Sequence, residues 1–159
     1  MATPKSRLIE EVVEAFRDSG NYDNAFDALA AKRLGVNETD LRCLNIIESS
    51  GGLTAGELAD AAGLTTGAVT GVVDRLERIG FASRSADPTD RRRVKIEVTP
   101  EFYRRAAEIW GPLAEEWQAT LSDRFTAQEL ERVAEFLRTG TEIARRHIER
   151  LQVGLTEVQ

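Results

Sequence analysis

Apolar residues recur at helical spacing from the start of the chain. Leu8, Ile9, Val12, Val13 and Phe16 form one set, and Phe26, Leu29 and Ala30 resume it after Gly20-Asn21. Steps of three and four put such residues on one face of a helix. Residues 5–34 therefore read as helical, as one bent helix or as two, with Gly35 as the stop. A second helix is expected from about Glu38 to Ser49. Asn37 is placed to cap it, Glu38 and Asp40 stand in its first turn, and Leu41, Cys43, Leu44 and Ile47 turn inward. Gly51-Gly52 breaks the chain. Thr54 and Glu57 have the spacing of a capping box, so a short helix follows to about Ala62. Gly63-Leu64-Thr65 makes a tight turn, and Thr65 or Thr66 caps a further helix that Gly80 ends.

The period then changes. Phe81 to Arg84 is short and strand-like, and Asp87-Pro88-Thr89-Asp90 is rich in turn formers. Val94, Ile96 and Val98 alternate with Lys95 and Glu97, the period of a half-buried strand. Together these predict a small hairpin with a charged tip. Helical spacing returns at Thr99-Pro100, with Phe102, Ala106, Ile109, Trp110, Leu113 and Trp117 carried on a helix to about Leu121. Thr126 and Glu129 form another capping box. The last helix carries Leu130, Val133, Leu137, Gly140, Ala144, Ile148 and Leu151, close to a heptad seam.

Two short helices joined by a three-residue turn containing Gly form a helix-turn-helix. Ala59 is small where the two helices would cross, Gly63 permits the turn, and Val69 anchors the second helix to the first. Leu58, Leu64 and Val72 supply the remaining apolar contacts. A hairpin immediately after such a pair makes a winged helix. Its second helix is expected in a major groove, with the wing on the backbone or in the adjacent minor groove.

The net charge of -6 argues against nucleic acid until it is located. Between Thr54 and Thr99, seven bases (Arg75, Arg78, Arg84, Arg91, Arg92, Arg93, Lys95) meet seven acids (Glu57, Asp60, Asp74, Glu77, Asp87, Asp90, Glu97). The negative balance thus lies outside the winged helix, and the bases inside it gather toward Arg91-Arg92-Arg93. DNA contacts are expected from Thr65, Thr66, Thr70, Arg75, Arg84, Arg91, Arg92 and Arg93. Cys43 and His147 are the single cysteine and histidine, so the chain offers no internal disulfide and no metal-ligand spacing. Neither a nucleophile–base pair nor a phosphate loop is present, and no enzyme, metal or cofactor is expected. The chain has no apolar run of the roughly 20 residues a membrane span needs, nor a secretory leader, so a cytoplasmic protein without membrane contact is expected.

Leu76-Glu77-Arg78-Ile79-Gly80-Phe81, Asp87 through Arg93, and Val98-Thr99-Pro100-Glu101 resemble the MarR (multiple antibiotic resistance regulator) family, as does Leu53-Thr54 through Ala59. The resemblance is sharp over residues 41–100. It implies a mostly α winged helix-turn-helix with N- and C-terminal dimerisation helices, residues 1–36 and 126–159 dimerising and residues 37–125 holding the DNA-binding region and a connecting helix. It implies a homodimer on a pseudo-palindromic operator of double-stranded DNA, often a repressor, often relieved by a small aromatic or phenolic effector. By the family's wing pattern Asp90 would pair with Arg92 and stiffen the wing while Arg91 reaches DNA. An effector pocket would draw on Arg17, Tyr22, Phe26 and Trp110, all of which also read as plain packing or surface residues.

One departure stands out. Where many members carry an arginine after the recognition-helix Thr, this chain has Gly71. The outward face becomes Thr65, Thr66, Gly67, Thr70, Gly71 and Asp74, with no cation to grip a guanine. Light base reading by Thr groups is expected, with the wing and phosphate contacts, Arg75 and Arg78 among them, carrying more of the affinity. Two other readings are a winged helix used only for protein interaction and a ligand carrier without a DNA role. The contiguous arginines disfavour the first, and Gly71 is the only support for the second.

Overall fold

The computed structural model describes residues 3–86, 90 and 93–156. The elements run α1 (Pro4–Leu34), α2 (Glu38–Ser49), α3 (Ala55–Ala62), α4 (Thr66–Arg78), β1 (Ala82–Ala86), β2 (Val94–Val98), α5 (Pro100–Arg124) and α6 (Ala127–Thr156). They divide into two compact units, residues 1–111 and 112–159.

In the first unit, α1 is a single helix that passes through Gly20-Asn21 without a break. Thr3 and Ser6 close a capping box at its start, and Gly35 ends it with a left-handed φ of 77°. Asn37 caps α2 by accepting from the Asp40 N–H at 2.8 Å. Thr54 and Glu57 form the capping box of α3, and Gly63 closes that helix with φ 63°. Each of these ends is set within a few residues, as capping requires.

The core lies where α2, α3, α4 and β2 meet. Leu41, Leu44, Ile47, Leu58, Val69, Val73, Leu76 and Ile96 are fully enclosed there. Each such side chain contributes roughly 1.5–3 kcal/mol by leaving water. Ala59 and Val69 sit in this core as the helix-turn-helix spacing requires. From α1 only Ala30, Ala31 and Leu34 reach full burial. Phe81 and Phe102 close the far side in an edge-on pair, 5.8 Å between ring centres.

The sheet is an antiparallel hairpin in which Ala82 faces Val98 and Ala86 faces Val94. It starts one residue later than the sequence suggests, because Phe81 is taken into the core instead. Leu53 adds a one-residue bridge beyond β2, exchanging two backbone bonds with Ile96 at 3.0 and 2.7 Å. Gly52 makes that approach possible. Its φ is 103°, and a Cβ there would run into the side chains of Lys95 and Glu97 and stand 3.1 Å from the Ile96 carbonyl oxygen. Gly52→Ala is expected to destabilise the protein by about 1–3 kcal/mol. A thermal melt reads this directly, and an unchanged midpoint would show that the loop yields instead.

The second unit holds the remainder of α5 and α6. Pro112 opens it inside α5, where the missing N–H deletes one rung of the helical ladder. Thr126 caps α6, with its N–H and hydroxyl donating to Glu129 at 2.8 and 2.7 Å. The heptad-like seam of α6 is open within one chain: Leu137, Ile148 and Leu151 are exposed. The α1 stripe is open too, with Leu8, Ile9, Val12 and Val13 all exposed. A single chain therefore does not bury the faces that the sequence marks for burial.

Candidate nucleic-acid interface

The outward surface of α4 is built from small side chains. Thr65 is the N-cap, and its hydroxyl oxygen accepts from the Ala68 N–H at 3.2 Å. Thr70 donates its hydroxyl to the Thr66 carbonyl at 3.0 Å. That bond leaves the Thr70 methyl and the oxygen lone pairs facing away from the helix backbone. Thr66, Gly67, Thr70 and Asp74 are exposed, and a Cβ at Gly67 would meet nothing within 4 Å. This surface of α4 is uncluttered, and the Arg75 guanidinium stands 3.7 Å from where a Cβ on Gly71 would lie.

The arginines assigned to DNA are held differently from the expectation of free phosphate contacts. Arg75 grips Asp40 with two bonds, Nε to Oδ2 at 3.1 Å and Nη2 to Oδ1 at 2.6 Å. This pair ties α4 to α2, and the hydrogen bonds that Arg75 donates to Asp40 raise the Arg75 pKa. Arg84 donates to Asp74 at 2.9 Å and to Glu77. Arg93 donates to Glu57. Glu57 is kept ionised chiefly by the Thr54 backbone N–H, then by the Thr54 hydroxyl and Arg93, which lower its pKa. Arg91 and Arg92 lie outside the described residues, so the expected Asp90–Arg92 pair does too. Asp90 itself is exposed, and its carbonyl accepts from the Arg93 N–H at 2.8 Å.

Of the four residues assigned to an effector pocket, two meet. Phe26 and Trp110 pack edge-on at 6.1 Å. Yet Phe26 lines one cleft of about 280 Å³ with Arg33 and Glu108, and Trp110 lines another of about 350 Å³ with Tyr103 and Asn45. Tyr22 is 78% exposed, and Arg17 is exposed as well. A larger cleft, about 710 Å³, was not legible in the sequence. Lys32, Asn37, Thr39, Gly67, Gly71 and Arg75 are on its walls. It is formed by two stretches apart in the chain, the α1–α2 corner and α4 with the turn before it. Cys43 is fully enclosed, and desolvation pushes its thiol pKa up, the opposite of what a reactive cysteine needs. Among the described residues no cluster of His, Cys, Asp and Glu is arranged to hold a metal, and no helix is long and apolar enough to cross a membrane.

Known proteins share this arrangement. The MarR family model matches residues 36–94, the stretch from α2 to the start of β2. YcgE of Bacillus subtilis (strain 168), described as an uncharacterized HTH-type transcriptional regulator, is 37% identical over 148 residues, 93% of this chain and 96% of its own. A crystal structure of MarR matches with a TM-score of 0.51 at 26% identity, over 91% of this chain and 99% of that one. YusO from Bacillus subtilis shares the fold, with a TM-score of 0.58 at 20% identity over 88% and 99%. Its helix-turn-helix, its wing and these likenesses together make the chain a member of the MarR family, a winged-helix transcriptional regulator and not an enzyme.

Proposed function

We propose that two copies of this chain bind a pseudo-palindromic operator in the cytoplasm and repress transcription there. The observation that carries this reading is the slim, exposed α4 face followed by a hairpin; the sequence runs Arg91-Arg92-Arg93 between its two strands. The family's members act as dimers on DNA, and the open apolar stripes on α1 and α6 are what a second copy would cover. Two α4 helices would then enter successive major grooves roughly 34 Å apart. Thr65, Thr66 and Thr70 would touch base edges, and Arg91, Arg92, Arg93 and Arg84 would serve the backbone and minor groove. Asp90 would steady Arg92. Arg75, held by Asp40, would act mainly by fixing α4 in place. A small aromatic ligand is the proposed effector class; the cleft beside Trp110 offers Phe102 and Tyr103 as apolar walls.

The test is a salt-dependent titration on DNA from the protein's own upstream region, with an Arg91→Ala/Arg93→Ala variant beside wild type. Wild type is expected to bind tightly and weaken with salt, and the variant to lose about 1–2 units of the log–log slope. Thr70→Ala is expected to relax sequence preference while leaving the slope unchanged. If a well-folded dimer bound no fragment at low salt, the DNA reading would fall and a protein-interaction module would replace it. If Thr70→Ala removed all preference while the arginine variant bound like wild type, the division of labour between helix and wing would be wrong.

A further inference from the structure

Both strands of the wing are tied to the helix-turn-helix by carboxylates. On the β1 side, Glu77 of α4 accepts from Arg84 twice, once from the backbone N–H at 3.0 Å and once from the guanidinium. Asp74, nearly one turn earlier on α4, accepts from the same guanidinium at 2.9 Å. On the β2 side, Arg93 stands just before the strand and donates to Glu57 of α3. Glu57 is itself fixed, because the Thr54 N–H and hydroxyl donate to its other oxygen at 2.8 and 2.9 Å. In every pair the acid stands on the helix-turn-helix and the base on the wing.

These bonds have two physical consequences. The first is geometric. A two-stranded hairpin is marginal by itself, and its angle to α4 is free unless something fixes it. Ala82, Ile96 and the Leu53 bridge anchor the base of the hairpin in the core, and the bonds from Arg84 to α4 and from Arg93 to α3 brace its two sides beyond that base. The second is electrostatic. A guanidinium already satisfied by a carboxylate releases no counterion when DNA approaches, unless the carboxylate is first displaced. Exposed ion pairs add little to folding, so the effect of these pairs should be sought in DNA binding.

We propose that Glu57 and Glu77 are positioning residues for DNA reading. They clamp the wing so that wing and α4 meet the duplex as one rigid reader, and they withhold Arg93 and Arg84 from phosphates of the wrong sequence. This rests on the DNA-binding reading above.

The experiment compares wild type with Glu57→Gln, Glu77→Gln and the double variant. Glutamine keeps one oxygen for the Thr54 or Arg84 backbone N–H and places a donating NH2 where the guanidinium now bonds, so the ion pair is lost while the local backbone bond is kept. Affinity for a specific fragment and for scrambled DNA is measured across salt, with a thermal melt of each protein. The double variant is expected to bind scrambled DNA several-fold more tightly at low salt, with a log–log slope steeper by about 1, since Arg93 is released while Asp74 still holds Arg84. Its discrimination is expected to fall about tenfold or more. The exchanged pair Glu57→Arg/Arg93→Glu is expected to regain discrimination relative to Glu57→Arg alone. Slope and discrimination like wild type in folded variants would overturn the proposal. So would parallel losses on both fragments with a lowered melting point, since those report plain destabilisation. If wild type itself bound no DNA, the underlying reading would fail first, and this one with it.

Discussion

Arg75→Met is expected to destabilise the protein by about 3–5 kcal/mol, because it leaves a buried carboxylate without its counter-charge. Asp40 is 3% exposed, and it is the one charged residue in the enclosed set among the described residues. Its two oxygens are served by Arg75. The start of α2 offsets part of the loss, since Asp40 stands in the first turn of that helix, where the helix dipole favours an anion. The lower half of the range is therefore the better expectation. The reverse removal is milder. The Arg75 side chain is 44% exposed and can turn to water, so Asp40→Asn should cost about 1–2 kcal/mol. A paired Asp40→Leu/Arg75→Met variant should recover most of the stability. Urea unfolding of the three variants gives the order. Equal losses for both single changes would mean that the carboxylate finds another partner or water once Arg75 is gone.

Val12→Glu/Val13→Glu is expected to split the proposed dimer. In one chain both positions are exposed, so the separated subunit tolerates the charges. Covered by a second copy, the same carboxylates would be stripped of water with no partner supplied, which is far more costly. Two tethered half-site contacts would become one, and affinity for a two-fold operator should drop roughly 10²–10⁴-fold. Sedimentation and a DNA titration on the same sample settle the matter. A variant that still sediments as a dimer and binds normally would show that this stripe of α1 is not the contact surface.

What the sequence disclosed and what it hid divide along chain separation. Asn37, Thr54, Gly63 and Thr126 were readable because a cap is decided within three or four residues. The alternation from Val94 to Val98 was readable for the same reason. Gly20-Asn21 left one helix or two open. The structure keeps one, since Gly20 meets nothing within 4 Å and an exposed glycine costs a helix only about 1 kcal/mol. The ion pairs were hidden. Asp40 lies 35 residues from Arg75, and Glu57 lies 36 from Arg93. No local pattern announces such partners, so the arginines looked free for phosphate. The sequence also set Trp110 and Trp117 on one helix face. Trp110 packs on Phe26 in the first unit, whereas Trp117 belongs to the second and is exposed. Helical spacing alone does not show which of the two finds a partner.

The unbroken α1 has a mechanical consequence. Its 31 residues make a rod roughly 46 Å long. One end carries the open stripe around Leu8 and Val12. The other is wedged by Ala30, Ala31 and Leu34 into the core that seats α4. A rod turns angle into distance. A tilt of roughly 5° at one end carries the other through about 4 Å, slightly more than the step of about 3.4 Å between stacked base pairs. If a second copy covers the stripe near Leu8, as proposed, repacking a few side chains there would be leverage enough to move a half-site out of register by one base pair.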